Sequence, residues 1–405
     1  MGNGEALRAG ETAGAVVVGG GVIGLAVARA LAQRGVGRVT VIERARLGAE
    51  ASFAAGGMLA AQAEADCADA FLELACASRD LYPAFSEALH EETGIDIELD
   101  RTGTLYLAFS EDDEAEIEHR YRWQRRAGLM VERLSASEAR RLEPCISSDV
   151  RGALVFPLDA QVENRRLVAA LVASAERCGV RLITGTHVEL IRIERGEVAG
   201  VETARGRVQS KLVVLAGGAW ASLVTLSDSR APVVRIEPVR GQMLCFEALQ
   251  RPFCHVVYSP RGYIVPRLDG RLLAGSTTEH AGFDKHVTGR GLNTITKHAL
   301  EIAPMIGELP LVNSWAGLRP RSLDDLPVIG ECAEVRGLCY ATGHYRNGIL
   351  LAPITAELIA EQVINQVTPP LLRAFTPDRF NHVRITENNE IELQRHRDTE
   401  KTRST

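Results

Sequence analysis

The sequence predicts an α/β protein in which a Rossmann-type domain is combined with a second domain built on an antiparallel sheet. An apolar strand at Ala15–Val18 is followed by a glycine-rich turn and then by aliphatic residues at helical spacing over Val22–Arg34. A second apolar strand at Val39–Ile42 completes a βαβ start, which is typical of a parallel sheet. Because 405 residues exceed what one compact core usually organises, we expect two domains.

The next segments extend the parallel layer. Leu167–Cys178 has helical spacing and is followed by a short strand at Arg181–Ile183, while Lys211–Leu215 is a further apolar strand. Near the C-terminal end, Leu338–Thr342 is a buried strand, and a helix follows with the apolar face Ile354, Leu358, Ile359 and Val363.

A different pattern predicts the second domain. Three segments alternate between apolar and polar residues and are separated by turns: Val239–Glu247, Tyr263–Arg267 and Arg271–Gly275. Asp269-Gly270 between the last two is a strong hairpin signal. The charge-rich stretch Glu111–Arg126 predicts a solvated helix.

Composition and charge exclude several classes of function. The formal net charge is −6 and the basic residues are scattered, so nucleic acid is not an expected partner. The apolar run Ala13–Ala28 is interrupted by glycines and ended by Arg29, which argues against a signal peptide or membrane span and favours a cytoplasmic protein. The eight cysteines form no C-x-x-C pair and the histidines have no metal-binding spacing, so we expect buried thiols and no metal site.

The N-terminal turn carries the motif G-x-G-x-x-G as Gly19, Gly21 and Gly24, with Glu43 at the end of the next strand. This order suits a pyrophosphate at a helix N-terminus, with Glu43 bonded to the adenosine ribose. The alternative is an ordinary tight turn between strand and helix. A carboxylate at this place disfavours NADP. The small-residue stretch Gly48–Ala60 favours FAD over NAD because it lets the backbone approach a flat ligand; the alternative is that this stretch is only a tightly packed loop.

Six segments together resemble the D-amino acid oxidase family of FAD-dependent oxidoreductases, most closely its glycine oxidase (ThiO) branch. They are VVVGGGVIG at Val16–Gly24, ASFAAGGML at Ala51–Leu59, VVLAGGAW at Val213–Trp220, YIVPR at Tyr263–Arg267, WAGLRPRSLDDLPVIG at Trp315–Gly330 and GHYRNGILLAPIT at Gly343–Thr355. The resemblance covers the chain from Ala15 to about Phe380, and it is the order and spacing of the segments that make it specific.

The resemblance implies a discontinuous FAD-binding domain formed by residues 14–80, 146–230 and 316–384. Residues 81–145 and 231–315 would form the substrate-binding domain, built on the antiparallel sheet. Residues 1–13 and 385–405 are predicted to be flexible tails, since the first is short and polar and the second is dense in charge.

The resemblance and the glycine motif together assign the cofactor contacts. They fall on Gly19, Gly21, Val22, Ile23, Gly24, Glu43, Arg44, Ala51, Ser52, Gly56, Gly57, Met58, Val188, His344, Tyr345, Arg346, Asn347, Gly348, Ile349 and Leu350. The second glycine turn, at residues 343–348, precedes a helix whose N-terminus would point at the far end of FAD. Some relatives attach flavin through a cysteine near the position of Ala316–Arg319; none is present here, so FAD is predicted to be bound noncovalently.

The same resemblance places the catalytic contacts to the substrate carboxylate on Arg319, Tyr263 and Arg346. A planar guanidinium binds a carboxylate through two parallel hydrogen bonds, which makes Arg319 the strongest candidate. The alternatives are that Arg319 pairs with Asp324 or Asp325, that Tyr263 only packs, and that Arg346 caps or pairs at the surface.

His344 is interpreted as a residue that holds the turn or the flavin by hydrogen bonding, because hydride transfer from Cα needs no base beyond a neutral amine.

The implied activity is oxidation of glycine, with sarcosine and small D-amino acids as further candidates, to an imine that yields glyoxylate and ammonia. Oxygen would be reduced to hydrogen peroxide, and the product would feed thiamine thiazole synthesis. The alternatives are a dehydrogenase that passes electrons to a quinone or carrier, and a nucleotide-binding protein without turnover. The resemblance also implies a homo-oligomer, a homotetramer.

Overall fold

A computed structural model describes residues 11–380. The predicted tails, residues 1–13 and 385–405, lie outside this range except for residues 11–13. Those three residues are not part of a free tail: Glu11–Thr12 is a strand that pairs in parallel with residues 208–209.

The described residues form 21 strands, eight α-helices and four short 3-10 helices. The strands are β1 (Glu11–Thr12), β2 (Ala15–Val18), β3 (Val39–Ile42), β4 (Met58–Leu59), β5 (Thr104–Ala108), β6 (Glu132–Ser135), β7 (Gly152–Phe156), β8 (Ala160–Gln161), β9 (Arg181–Ile183), β10 (Val188–Glu194), β11 (Glu197–Thr203), β12 (Gly206–Gln209), β13 (Val213–Leu215), β14 (Thr225–Leu226), β15 (Ile236–Glu247), β16 (Val256–Ser259), β17 (Gly262–Pro266), β18 (Arg271–Gly275), β19 (Leu311–Ser322), β20 (Val328–Glu331) and β21 (Leu338–Thr342). The α-helices are α1 (Val22–Gln33), α2 (Ala51–Ala54), α3 (Ala70–Thr93), α4 (Glu111–Arg126), α5 (Ala136–Leu142), α6 (Asn164–Arg177), α7 (Gly289–Ile302) and α8 (Ala352–Asn365). The 3-10 helices are Gly218–Leu223, Pro304–Glu308, Pro370–Leu372 and Pro377–Phe380.

The predicted Rossmann layer is a six-stranded sheet in the order β20-β21-β13-β2-β3-β9. Its strands are parallel except for β20, which runs antiparallel to β21 at the edge. Helices α1, α3, α6 and α8 pack on one face, where the aliphatic residues of α1 are buried against them. Because β2 and β3 are covered on both faces, β2 is wholly apolar and β3 is apolar except for Thr40, so neither strand alternates in the sequence.

A five-stranded sheet, ordered β1-β12-β11-β10-β14, covers the other face of the Rossmann layer. Val16, Val18 and Ile42 on that face pack against Ile191 and Val201. This layer was not predicted from the apolar pattern of the sequence.

The second domain is built on an eight-stranded sheet in the order β19-β15-β18-β17-β16-β5-β7-β6. All its neighbouring strands are antiparallel except β16 and β5, which are parallel. The predicted hairpin joins β17 to β18, with Gly270 at φ +90° in the turn. The α/β fold class with an antiparallel second sheet is thereby confirmed.

The structure places three boundaries differently from the predicted domain segments. Helix α3 runs uninterrupted through residue 80 and packs on α6 and α8 of the Rossmann layer. Strand β7, predicted in the first domain, pairs with β5 and β6 in the eight-stranded sheet. The boundary at 315/316 falls inside β19, a 12-residue strand. Apolar patterning identifies a strand but not the sheet that it joins. The domain of such a strand is therefore known only from its pairing with other strands in the structure.

Candidate active site

A long cleft lies between the Rossmann sheet and the eight-stranded sheet. It consists of a large cavity of about 1090 Å³ and a small cavity of about 650 Å³, both including the open space at their mouths. Five residues line both cavities, which therefore adjoin: Gly21, Ala51, Ser52, Ala216 and Gly218. The glycine-rich turns border this cleft from both ends of the sequence.

The first glycine turn is closely packed. Gly19 has φ +109°, a conformation that favours glycine, and a Cβ at this position would overlap the carbonyl of Ala216. A Cβ at Gly24 would overlap the carbonyl oxygen of Gly19, so the helix can approach the strand only without a side chain there. These two glycines set the path of the turn that leads into α1.

The N-terminus of α1 has hydrogen-bonding capacity to offer a ligand. Its first N–H, that of Val22, donates to Ser52 Oγ at 2.9 Å. No described residue accepts a hydrogen bond from the N–H groups of Ile23 and Gly24, and the Gly21 N-cap has no side chain. A helix N-terminus with open donors at a glycine turn is suited to a pyrophosphate.

Glu43 lies at the small cavity and holds the turn from the other side. One carboxylate oxygen accepts the N–H of Gly20 and the other accepts the N–H of Ala45, both at 2.8 Å. The side chain is buried, yet it lines the small cavity beside Arg44 and Val188. Each oxygen keeps a lone pair that a ribose hydroxyl could use.

We predict that Glu43→Ala weakens FAD binding by about 1–3 kcal/mol, because ribose hydroxyls and two backbone N–H groups lose their acceptor. Titration of the cofactor-free protein with FAD measures this change. Glu43→Gln keeps one acceptor oxygen and should lose less. Unchanged FAD affinity in Glu43→Ala would place the ribose elsewhere, and amino-acid preference should not change in either variant.

The segment after the second strand approaches the cleft closely and is held by Arg267. The Arg267 guanidinium is buried and donates to the carbonyls of Gly56 (2.9 Å) and Val162 (2.7 Å). On the opposite side, a Cβ at Gly317 would come within 2.5 Å of the Ala54 side chain. The small residues here let the two sheets approach each other closely. That the same stretch also admits a flat ligand stays a prediction.

The second glycine turn lies at the other end of the cleft. His344 is buried and its Nε2 is 3.0 Å from Thr355 Oγ1 in α8, so the imidazole fixes the turn to the helix that follows. Burial lowers the pKa of His344 from its ordinary value of 6.5 to about 3. A histidine that is neutral throughout the physiological range and bonded to a threonine fits the predicted structural interpretation.

The pKa of His344 predicts a pH dependence of stability. The unfolded chain binds a proton at His344 below pH 6.5 and the folded chain does not until about pH 3. This site therefore costs the folded state about 2 kcal/mol when the pH falls from 7 to 5. In urea unfolding of the cofactor-free protein, the free energy of unfolding of His344→Gln should fall by about 2 kcal/mol less than that of the wild type between pH 7 and pH 5. An equal fall in both proteins would contradict a neutral His344.

Arg319 lines the large cavity without a carboxylate partner among the described residues. Its Nη1 donates to the Thr277 carbonyl at 3.0 Å and its Nη2 to Ser276 Oγ at 2.6 Å. The guanidinium lies over Gly241, where any Cβ would overlap it. Burial lowers the pKa of Arg319 from its ordinary value.

The predicted alternative for Arg319 is wrong, because both nearby aspartates have other partners. Asp324 is ion-paired with Arg379 at 2.7 Å and Asp325 with Arg321 at 2.5 Å.

Tyr263 and Arg346 line the same cavity. The Tyr263 ring is buried and stacks on Tyr258 with centroids 5.8 Å apart, while its hydroxyl meets only the Met243 sulfur, at 3.3 Å. Arg346 Nη2 lies 3.5 Å from Glu64 Oε1 and donates to Tyr258 Oη at 3.2 Å. The three predicted carboxylate contacts are thus brought to one cavity, but Arg346 already has an anionic partner.

The predicted cofactor contacts distribute over the cleft as follows. The large cavity is lined by Gly21, Val22, Ile23, Ala51, Ser52, Gly56, Gly57, Met58, His344, Tyr345, Arg346, Asn347, Gly348 and Ile349. The small cavity is lined by Gly19, Gly21, Glu43, Arg44, Ala51, Ser52 and Val188. Gly24 and Leu350 line neither: Gly24 packs on the turn, and the Leu350 carbonyl accepts from Ser78 Oγ at 2.6 Å. These assignments remain predictions of function.

Several cleft residues were missed by the sequence analysis: Glu64, Gly241, Met243, Thr342 and Trp220. Trp220 carried a signal, since it ends a segment that the resemblance includes, and Arg44 stacks on its ring at 3.8 Å. Glu64 carried none. Arg261, two residues before Tyr263 in the sequence, pairs with Asp113 and Glu301 at 2.8 and 2.7 Å and lines neither cavity.

The described residues contain no group of side chains suited to a metal ion. Over residues 11–380, none of the helices combines the length and apolar character needed to span a bilayer. Neither cavity is lined by a cysteine in this part of the chain.

The glycine turn, the open helix N-terminus and the small-residue cleft fit a dinucleotide, and the uncompensated arginine beside it fits an anionic substrate. This arrangement is that of a dinucleotide-dependent enzyme. Comparison with known proteins identifies the family: the model described as FAD dependent oxidoreductase (DAO) matches residues 15–362. The chain belongs to the DAO family and is an FAD-dependent oxidoreductase.

Individual relatives agree with this assignment. Glycine oxidase from Geobacillus kaustophilus (strain HTA426) is 38% identical over 366 residues, which cover 90% of this chain and 96% of that protein. A crystal structure of glycine oxidase from Geobacillus kaustophilus matches with a TM-score of 0.86 at 36% identity, covering 90% of this chain and 98% of the other.

Two further relatives differ in description. The bifunctional protein ThiO/ThiG from Trichormus variabilis (strain ATCC 29413 / PCC 7937) is 37% identical over 372 residues; these cover 90% of this chain and 55% of that protein, so the chain spans about half of it. The crystal structure of L-proline dehydrogenase from P. horikoshii has a TM-score of 0.83 at 25% identity, covering 92% of this chain and 99% of that one.

Proposed function

We propose that this protein oxidises glycine, and with it sarcosine or small D-amino acids, to the corresponding imine. The observation that carries the proposal is Arg319: a guanidinium at the large cavity, held by two neutral groups and lacking any carboxylate partner among the described residues. Such a group is completed by a ligand carboxylate, and a free amino acid supplies one. The similarity to glycine oxidases supports glycine as the substrate.

The residues of the cavity would orient the substrate. Arg319 holds the carboxylate at two points, so rotation of a bound amino acid is restricted and its Cα–N bond is presented in one direction. Tyr263 is held by stacking on Tyr258 and offers its hydroxyl to a carboxylate oxygen in place of the weak contact to Met243. Gly241 and Gly275 leave room for these groups, because a Cβ at either glycine would overlap them.

FAD, when bound, would supply the redox chemistry: oxidation to the imine removes a hydride, which carries two electrons, from Cα and a proton from the nitrogen, and together these reduce oxygen to hydrogen peroxide. Water then hydrolyses the imine of glycine to glyoxylate and ammonia. Residues 51–58 and 344–349 would hold the cofactor against the cavity, with the N–H of Ile23 donating to its pyrophosphate.

The test is anaerobic addition of glycine to the purified, FAD-loaded protein. Bleaching of the flavin absorbance is the expected result, followed by recovery and release of hydrogen peroxide when air is admitted. A flavin that keeps its colour with glycine, sarcosine and D-alanine would overturn the proposal.

The structural similarity to L-proline dehydrogenase favours one alternative, namely an enzyme that passes electrons to a quinone or carrier. The same experiment separates the two. Bleaching without reoxidation in air, reversed by an added quinone, would support the dehydrogenase.

Similarity to the ThiO part of a bifunctional ThiO/ThiG protein supports a role in thiamine thiazole synthesis, in which the imine is used before it is hydrolysed. We further propose a cytoplasmic homo-oligomer, on the basis of the family resemblance.

We predict that FAD is bound noncovalently, since no cysteine of the described residues lines the cleft. Acid precipitation should release all of the yellow colour into the supernatant. Colour that stays in the protein pellet would contradict the prediction.

A further inference from the structure

The charges of the large cavity are unequal in number. Three of its lining residues carry charge, namely Glu64, Arg319 and Arg346, whereas the buried His344 is neutral. Glu64 lies 3.5 Å from Arg346, and Arg319 has no carboxylate partner among the described residues. The cavity therefore holds one cation more than anions, which matches a ligand with a single carboxylate.

Glu64 is held in place by the backbone on both sides of it. The N–H of Ala63 donates to Asp159 at 3.1 Å. The carbonyls of Ala63 and Ala65 both accept from Arg120 Nη1, at 3.2 and 2.5 Å. Because this turn is fixed by buried groups, the Glu64 carboxylate is preorganised at the cavity wall and does not swing freely into solvent.

Arg346 is held equally firmly. Tyr258 accepts from it at 3.2 Å, and the Tyr258 ring is fixed between Tyr106 and Tyr263 with centroid distances of 5.4 and 5.8 Å. The carboxylate of Glu64 raises the pKa of Arg346, as expected of a neighbouring opposite charge. The positive charge of Arg346 is thus already balanced within the protein.

We propose that Glu64 is a specificity-determining residue: by occupying Arg346, its carboxylate excludes amino acids and amines that carry a second carboxylate. A single carboxylate neutralises Arg319 and leaves the cavity balanced. A second one would find Arg346 already paired and would meet the negative charge of Glu64 in a partly dehydrated cavity, where like charges repel strongly. This inference rests on the proposed function, because it takes Arg319 as the site of the substrate carboxylate.

The test uses two anions that are not oxidised, acetate and malonate, so that it does not depend on turnover. Each is titrated into the FAD-loaded protein, and the dissociation constant is read from isothermal titration calorimetry and from the absorbance change of the flavin. In Glu64→Gln, malonate should bind tighter by about tenfold or more, because one like charge is removed and Arg346 becomes available. Acetate binding should change much less.

Two variants control for a disturbed turn. Glu64→Asp keeps the negative charge, so exclusion of malonate should largely persist. Asp66→Asn removes a carboxylate two residues along the same turn, which pairs with Arg120 at 2.7 Å outside the cavity. This variant should retain the wild-type preference between acetate and malonate.

The inference is overturned if Glu64→Gln leaves the malonate constant unchanged, or if it tightens acetate and malonate equally. It is also overturned if Asp66→Asn tightens malonate binding as Glu64→Gln does, since the conformation of the turn and not the charge of Glu64 would then determine which anions bind.

Measuring glycine oxidation separates this inference from the proposed function. If the protein oxidises glycine but Glu64→Gln does not bind malonate more tightly, only this inference is refuted. If Glu64→Gln binds malonate more tightly but the protein oxidises no amino acid, the proposed function is refuted and the exclusion of dicarboxylates by Glu64 is retained.

Discussion

Arg319→Ala should lower kcat/KM for glycine by roughly one to four orders of magnitude, which corresponds to a loss of about 2–5 kcal/mol of transition-state stabilisation. The FAD content should stay unchanged. The structure explains the size of this effect. Arg319 is held only by the Thr277 carbonyl and Ser276 Oγ, so its charge is reserved for a ligand. Arg346 cannot replace it, because Arg346 is paired with Glu64. Steady-state kinetics with glycine, combined with cofactor extraction, measures both parts of the prediction.

Two further variants test the geometry of this contact. Arg319→Lys should recover only part of the loss, since an ammonium supplies the charge without the two-point geometry. Gly241→Ala leaves the arginine in the sequence but places a methyl group where the guanidinium lies, so kcat/KM should again fall. An amine that has no carboxylate, such as benzylamine, should be much less sensitive to all three changes. Near-normal kinetics of Arg319→Ala would make Arg319 structural and place the carboxylate elsewhere.

The features that could be predicted from sequence are those fixed by local geometry. The spacing of Gly19, Gly21 and Gly24 between an apolar strand and a helix defines a turn whatever the rest of the chain does. The hairpin at Asp269-Gly270 is equally local, and β18 has the predicted limits.

Features that depend on pairing between distant segments could not be predicted. Glu64 precedes its partner Arg346 by 282 residues, and nothing in the neighbourhood of either marks the ion pair. The same limit explains why β7 was assigned to the wrong sheet. Its apolar residues predict a strand, but its pairing with β5 and β6 depends on tertiary packing. The family resemblance located most residues of the cleft, yet it did not indicate which of the two arginines is uncompensated. That distinction needed the partners of each guanidinium.

A single methyl group at Gly24 should remove most FAD binding. In the structure, a Cβ at this position would overlap the backbone oxygen of Gly19. Gly19 cannot move away freely, because it packs so closely on the Ala216 carbonyl that it has no room for a Cβ of its own. The turn must therefore open, which shifts the N–H group of Ile23, at the N-terminus of α1, away from a bound pyrophosphate. Overpacking of this kind costs about 1–3 kcal/mol, so FAD affinity should fall by roughly ten- to a hundredfold.

The decisive measurement for Gly24→Ala compares cofactor affinity with the stability of the cofactor-free chain. FAD titration followed by flavin fluorescence gives the first, and urea unfolding of the cofactor-free protein gives the second. Gly289→Ala is the matched control, because Gly289 begins α7 with open space around it and should tolerate the methyl group without loss of FAD. If Gly24→Ala binds FAD as tightly as this control does, then close approach of helix to strand is not what holds the pyrophosphate. The binding energy would then have to come from Glu43, from Ser52 and from the second glycine turn, which a Gly24 substitution leaves in place.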